Sequence, residues 1–242
     1  MKIFLSASET PDCKDIWELE SYYNLVSYYY IKSKTDVACK IRDHSKLMLV
    51  DSGAHSFQKG TKVNWVEYTK QYAQFIKEFD RPNVVGYFEM DVDNIIGYDK
   101  VLELRAILES VSDKIIPVWH KNRGLDEFKK MCKDYAGKVI AITGFKNEDI
   151  KDEQYLMFLK YAKKYKCKVH CLGMTRKKVL DKVPFDYVDS SSWKQGAIYG
   201  RIGNRKVDKQ FSKNSRKEVL LASYIEGMKM QKKYERRWKL YE

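Results

Sequence analysis

The feature that most constrains this chain is a repeated pairing: a short apolar run, then a longer amphipathic stretch. The runs are Lys2–Ser6, Leu47–Asp51, Val84–Asp91, Ile115–His120, Val139–Thr143, Lys168–Leu172 and Phe185–Asp189, with a weaker eighth at Ala197–Ile202. They are rich in Val, Ile and aromatics and bounded by Gly, Asp or Pro, which predicts buried strands. Between them, Trp65, Tyr68, Tyr72, Phe75, Ile76 and Phe79 recur at helical spacing behind a candidate N-cap, Asn64. Val101, Leu104, Ile107 and Leu108 form a second stripe, and Leu156, Phe158, Leu159 and Ala162, after Asp149, a third. Tyr22, Tyr23, Tyr28, Tyr29 and Tyr30 read as a further helix whose aromatics face both core and surface. Strand–helix alternation predicts a parallel α/β fold. Seven or eight units in 242 residues fit a (β/α)8 barrel of the TIM type, which takes about 250 residues. A doubly wound open sheet is the alternative, but no GxGxxG follows the first run.

At 44% hydrophobic and 33% charged, the chain has enough apolar content for one sizeable core and too much for disorder. No apolar stretch approaches the length of a membrane span, and the first residues do not read as a signal peptide. Five scattered cysteines argue against a disulfide framework, so a cytoplasmic setting is expected. The net charge of +13 is uneven: from Lys194 onward there are 14 basic and 5 acidic residues, whereas the first 193 hold 32 and 28. That imbalance predicts a polyanion partner, nucleic acid first, although a solvated lysine-rich helix would have the same composition. The expected organisation is a barrel over residues 1–204 and a basic helical segment over 205–242 packed on it. In that segment Ser215–Lys239 reads as one helix whose first half packs on the body and whose second half presents Lys232, Lys233, Tyr234, Arg236, Arg237 and Trp238, although Tyr234 and Trp238 could equally pack on the barrel.

In such a barrel, chemistry gathers at the C-terminal ends of the strands. Asp51, Asp91 and Asp189 each close a run there, as does His120, and Gly144 follows another. One strand-end Asp often serves only as a turn former or helix cap. Three at one rim point to acid chemistry, such as cleavage at a sugar's anomeric carbon, where one carboxylate attacks or steadies the developing cation and another protonates the leaving group.

Here the residues resemble a family. Asp51-Ser52-Gly53-Ala54-His55-Ser56-Phe57-Gln58 resembles the DSGG-aromatic-Gln signature of guanine transglycosylases, the queuine and archaeosine enzymes. His170-Cys171-Leu172-Gly173-Met174 is similar to their H-x-x-G strand end, and Phe185 to Trp193 (FDYVDSSSW) to their nucleophile segment. Order and spacing match from about residue 45 to residue 200.

The resemblance implies a (β/α)8 barrel that exchanges guanine for a free 7-deazaguanine base in a nucleic acid. It makes Asp189 the nucleophile, with Asp186 as fallback, and Asp51 the general acid/base. Asp91 falls at the base-reading position, with Asp93 as fallback. His55 and Leu172 would sandwich the purine, Gly144 would offer backbone groups, and Ser52, Gly53 and Gly173 belong to the same base-binding segments. Trp119 and His120 replace the family's glutamine, so the base edge would be read differently. The zinc site of the tRNA members is missing, since no Cys follows Cys171, and no cofactor is expected. The short chain and the DSSSW segment resemble most the phage and bacterial branch that acts on DNA, which favours DNA over tRNA.

Other readings stay open. Cys167, His170 and Cys171 suggest zinc, but on a strand the two thiols share one face while the imidazole takes the other. The loop from His120 to Gly124 is basic, and Lys121 and Arg123 could hold a phosphate or simply be solvated. A carboxylate-pair glycoside hydrolase and a non-catalytic nucleic-acid-binding barrel are the competing function classes.

Overall fold

The computed structural model describes residues 1–57, 62–144, 150–203, 205–206 and 213–239. Gln58, Asp149 and the expected boundary at residue 204 lie outside the described residues. The strands are β1 (Lys2–Ser6), β2 (Ser21–Ser27), β3 (Ser45–Asp51), β4 (Val84–Phe88), β5 (Ile115–Ile116), β6 (Val118–Trp119), β7 (Val139–Thr143), β8 (Lys168–Leu172) and β9 (Tyr187–Ser190). All pair in parallel, in the order β5-β4-β3-β2-β1-β9-β8-β7-β6. The two ends of that ladder are halves of one strand, divided at Pro117, which has no N–H to give a neighbour. The sheet therefore comes round into a nearly closed barrel, and the fold is a (β/α)8 barrel of the TIM type. Where Pro117 breaks the ladder, the Val118 N–H donates instead to the buried Glu89 carboxylate at 2.7 Å.

Helices α1 (Tyr28–Ile31), α2 (Thr35–Asp43), α3 (Trp65–Phe79), α4 (Asp93–Ile96), α5 (Tyr98–Glu109), α6 (Gly124–Asp134), α7 (Tyr155–Lys164), α8 (Lys177–Leu180) and α9 (Ser192–Ile198) follow the strands. Asn64 caps α3, its Oδ1 accepting the Glu67 N–H at 3.1 Å. The barrel interior is filled by alternate strand residues, among them Phe4, Tyr23, Leu49, Phe88 and Val118. Separate apolar layers join the outward-facing strand residues to the helices.

Two expectations are corrected. The tyrosine-rich stretch is not one helix: Ser21–Ser27 is strand β2, followed by the single turn α1. The eighth barrel strand is thus β2, while Ala197–Ile202 divides between the end of α9 and β10 (Arg201–Ile202), which forms a hairpin with β11 (Arg205–Lys206).

The last element, α10 (Lys213–Trp238), is one helix, but both halves pack on the barrel. Leu220, Tyr224, Gly227, Gln231, Tyr234 and Trp238, spaced four and three apart, are all buried. Gln231 donates to the carbonyls of Ile3 and Tyr23, and Trp238 Nε1 donates to that of Leu180. Tyr234 and Trp238 are therefore anchors rather than presented aromatics, while Lys232, Lys233, Arg236 and Arg237 remain exposed. Among the described residues, no helix is long and apolar enough to cross a membrane.

Candidate functional site

The strands' C-terminal ends surround a cleft of about 530 Å³, within the usual range for small-molecule sites. Asp51, Asp91 and Asp189 all line it, as do His55, His120, Leu172 and Gly173. Each carboxylate has a different environment.

Asp51 ends β3 at a turn that only glycine fits. Gly53 has φ +74°, and a Cβ there would lie 2.4 Å from that of Tyr29. The turn lets the Gly53 N–H donate to Asp51 Oδ2 at 2.9 Å. Ser52 is buried beneath it, its carbonyl accepting the Tyr68 hydroxyl, so Ser52 and Gly53 shape the turn rather than the cleft surface. Desolvation dominates at Asp51 and, with the negative charges of Asp189 and Asp91, pushes its carboxyl up to about 6, against the Gly53 N–H and His55.

Asp91 is the opposite case. Burial would raise it, but the imidazoles of His120 (2.7 Å to Oδ1) and His55 (3.1 Å to Oδ2) outweigh burial and hold it well below the usual carboxylate range. His55 is raised in turn, chiefly by its bond to Asp91. At His120 burial opposes the rise, but the same carboxylate prevails.

Asp189 accepts two hydrogen bonds on one oxygen: His170 Nε2 at 2.9 Å and the Gly173 N–H at 2.8 Å both reach Oδ1. Oδ2 accepts no hydrogen bond from the described residues. His170 is fully buried and its other ring nitrogen, Nδ1, has no hydrogen-bond partner among the described residues.

Several expected residues sit elsewhere. Trp119 points away from the cleft into the layer formed with Phe128 and Phe158, since neighbours on a strand face opposite sides and Val118 takes the inward one. Gly144 is tied to β8 by its own N–H, which donates to the Leu172 carbonyl at 2.8 Å, and its carbonyl already accepts from Arg176. Asp186 precedes β9 at the opposite end of the barrel, where Lys163 pairs with it, so it cannot substitute for Asp189. Arg123 does not reach out for phosphate: its side chain is 2% exposed and paired with Glu89, Asp91 and Asp93. Lys121 is exposed. Asp93 is held low by Arg123 and Asn122 against its own burial and does not line the cleft.

Donor atoms of Asp91, Asp93 and His120 lie within 4.8 Å of one another, a spacing a cation could use. The Arg123 guanidinium, 3.0 Å from Asp93 and 3.6 Å from Asp91, already supplies positive charge there. Cys167 is bonded to backbone carbonyls of Cys132 and Tyr135, and Cys171 is buried in the outer layer, while His170 faces Asp189, so the three do not converge.

Sequence reasoning missed Glu9. This carboxyl follows β1, belongs to none of the motifs, and lines the cleft while 3% exposed. Its only visible signal was an acidic residue just beyond a strand's C-terminal end. No protein-family model, no curated protein and no solved structure matches this chain.

Proposed function

We propose that the protein is a nucleic-acid guanine transglycosylase acting on DNA, exchanging guanine for a 7-deazaguanine base. The observation that carries this reading is the division of labour among three aspartates in one cleft: one pushed up to about 6 by burial, one kept anionic by two imidazoles, one presenting an oxygen with no hydrogen bond from the described residues.

Asp189 Oδ2 attacks the anomeric carbon, and a carbon–oxygen bond to the enzyme forms as the glycosidic carbon–nitrogen bond breaks. The electron pair leaves on guanine, whose departing nitrogen takes the proton from Asp51. An incoming base then gives a proton back to Asp51 and displaces Asp189, restoring both carboxyls. A group with a pKa of about 6 suits both transfers. Asp91 would accept N–H groups from the base edge after His55, whose side chain is 72% exposed, swings off Oδ2. The exchange consumes no cofactor. The exposed cations Lys232 and Arg236 of α10 flank Tyr22, at the start of β2 and so at the end of the barrel away from the cleft, and would meet phosphates distant from the exchanged base.

The test is incorporation of labelled guanine into duplex DNA and into tRNA, run side by side. Incorporation into DNA supports the proposal, and incorporation into tRNA alone moves the enzyme to the tRNA branch. Sugar hydrolysis without base exchange would replace the reading with that of a glycoside hydrolase.

A further inference from the structure

Glu9 has a role that the three aspartates leave open. Its Oε1 accepts the Ser27 N–H at 3.2 Å, whereas Oε2 is buried with no hydrogen-bond partner among the described residues. Ser27 Oγ is likewise buried and without a partner among the described residues, and both residues line the cleft. Buried polar atoms are nearly always paired in a folded protein, and an orphaned pair on a ligand cleft's wall is completed most simply by the ligand.

We propose that Glu9, seconded by Ser27, is a specificity-determining residue that donates a hydrogen bond from a protonated Oε2 to a carbonyl or ring-nitrogen acceptor of the bound base. This rests on the base-exchange reading above. The proton is assigned to Oε2 because Oε1 already faces a donor N–H and can only accept. The groups facing Glu9 favour that state. Burial dominates and Asp51, on β3, adds negative charge, so the carboxyl rises to about 7 against the Ser27 N–H, its own backbone N–H and Lys194 of α9. Lys194 is itself engaged by the Ala7 carbonyl, Thr10 and Asp12, which limits what it gives to Glu9.

The experiment is a calorimetric titration of guanine into the intact protein, its Glu9→Gln variant and its Glu9→Leu variant, from pH 6 to pH 8.5. The wild type is expected to lose affinity above about pH 7, approaching tenfold per pH unit, as the donor ionises. Glu9→Gln keeps a donor at every pH and should lack that loss. Asp51 is common to both proteins, so the difference between their profiles isolates Glu9. Glu9→Leu should bind at least about tenfold more weakly at pH 6, a direct consequence of losing one hydrogen bond. Should Glu9→Leu fail to fold, the isosteric Gln profile decides alone. Identical profiles for wild type and Glu9→Gln, or wild-type affinity that rises with pH, overturn this inference while leaving base exchange standing. No binding of guanine to the wild type at any pH overturns both.

Discussion

His170 Nε2 lies 2.9 Å from Asp189 Oδ1, and the ring that makes this contact is fully buried against Phe88, centroid to centroid 5.0 Å. A carboxylate can only accept, so Nε2 carries the proton of this bond. The bond fixes one oxygen of Asp189 and so aims the other. A hydrogen bond to a charged group contributes about 1.5–3 kcal/mol, enough to matter for a nucleophile's orientation. His170→Leu should therefore slow the first, base-releasing step about 10- to 100-fold while leaving KM for DNA unchanged. Rescue by His170→Gln, whose amide can still donate, separates positioning from packing. Equal loss in both variants would mean that His170 serves only the core.

Asp189→Ala should abolish exchange and the covalent protein–DNA adduct together, with an unchanged melting temperature. The adduct is read on a denaturing gel after mixing enzyme with DNA in the absence of an incoming base. An adduct that persists in this variant would remove Asp189 from the nucleophile's place, and Asp186, at the far end of the barrel, would not inherit it.

Asp51 should govern the pH dependence of base release. The departing nitrogen needs a proton, so single-turnover release should fall as pH rises through about 6, where Asp51 ionises. Asp51→Asn keeps the turn and the acceptor for the Gly53 N–H but cannot cycle a proton. Its release should be slow and lack that inflection. Normal turnover in Asp51→Asn would sink the acid/base role.

The elements most legible in the sequence were those whose pattern reports a local cause. Strands β3, β7 and β8 are apolar runs because both faces are buried, and Asn64 caps α3 because its carbonyl oxygen sits where the first turn leaves N–H groups unpaired. β2 was hidden because its buried positions include Asn24. That side chain donates to Ser21 and Ser45 and accepts from Tyr224, which lies 200 positions away along the chain. No local window carries that information. The motifs located Asp51, Asp91 and Asp189 but not the direction of Trp119, which follows from strand alternation once Val118 faces inward. Arg123 reads as a surface cation until Glu89 and Asp91, just after β4, and Asp93, at the start of α4, converge on it.

The raised Glu9 carboxyl predicts a stability signature independent of activity. Its pKa rises from 4.5 to about 7 on folding, so between those values the native state binds more protons than the unfolded chain. Stability contributed by this group is therefore present below about pH 4.5 and lost as pH rises through about 7. Glu9→Gln removes that loss. Its melting temperature relative to wild type should climb by several degrees between pH 5 and pH 8, at about 2–4 °C per kcal/mol for a chain of this size. A constant difference across that range would mean that Glu9 ionises normally.

The last prediction concerns α10, where packing and charge can be separated residue by residue. Tyr234 and Trp238 fasten the helix by donating to Asp181 and to the Leu180 carbonyl, so replacing either should lower the melting temperature. Arg237 is mixed: it is exposed but also donates to the Asp181 carbonyl. Lys232, Lys233 and Arg236 are exposed, with Lys232 resting over the Tyr22 ring at 5.0 Å, at the end of the barrel away from the cleft, so only DNA that runs well past the exchanged base would meet them. On B-form DNA each phosphate contact contributes about −0.9 to the log–log salt slope, by counterion release. Replacing those three by Ala should weaken binding to every DNA sequence, flatten the slope by up to roughly three units on the same counterion argument, and leave melting nearly unchanged. Exchange at saturating DNA should survive, because the proposed chemistry lies in the cleft and not on α10. If the triple variant keeps its salt slope, α10 is a clasp for the barrel rather than a DNA-binding face. Adding Arg237→Ala then reads out its two roles, with any further slope change assigned to phosphate and any further drop in melting temperature to the Asp181 contact.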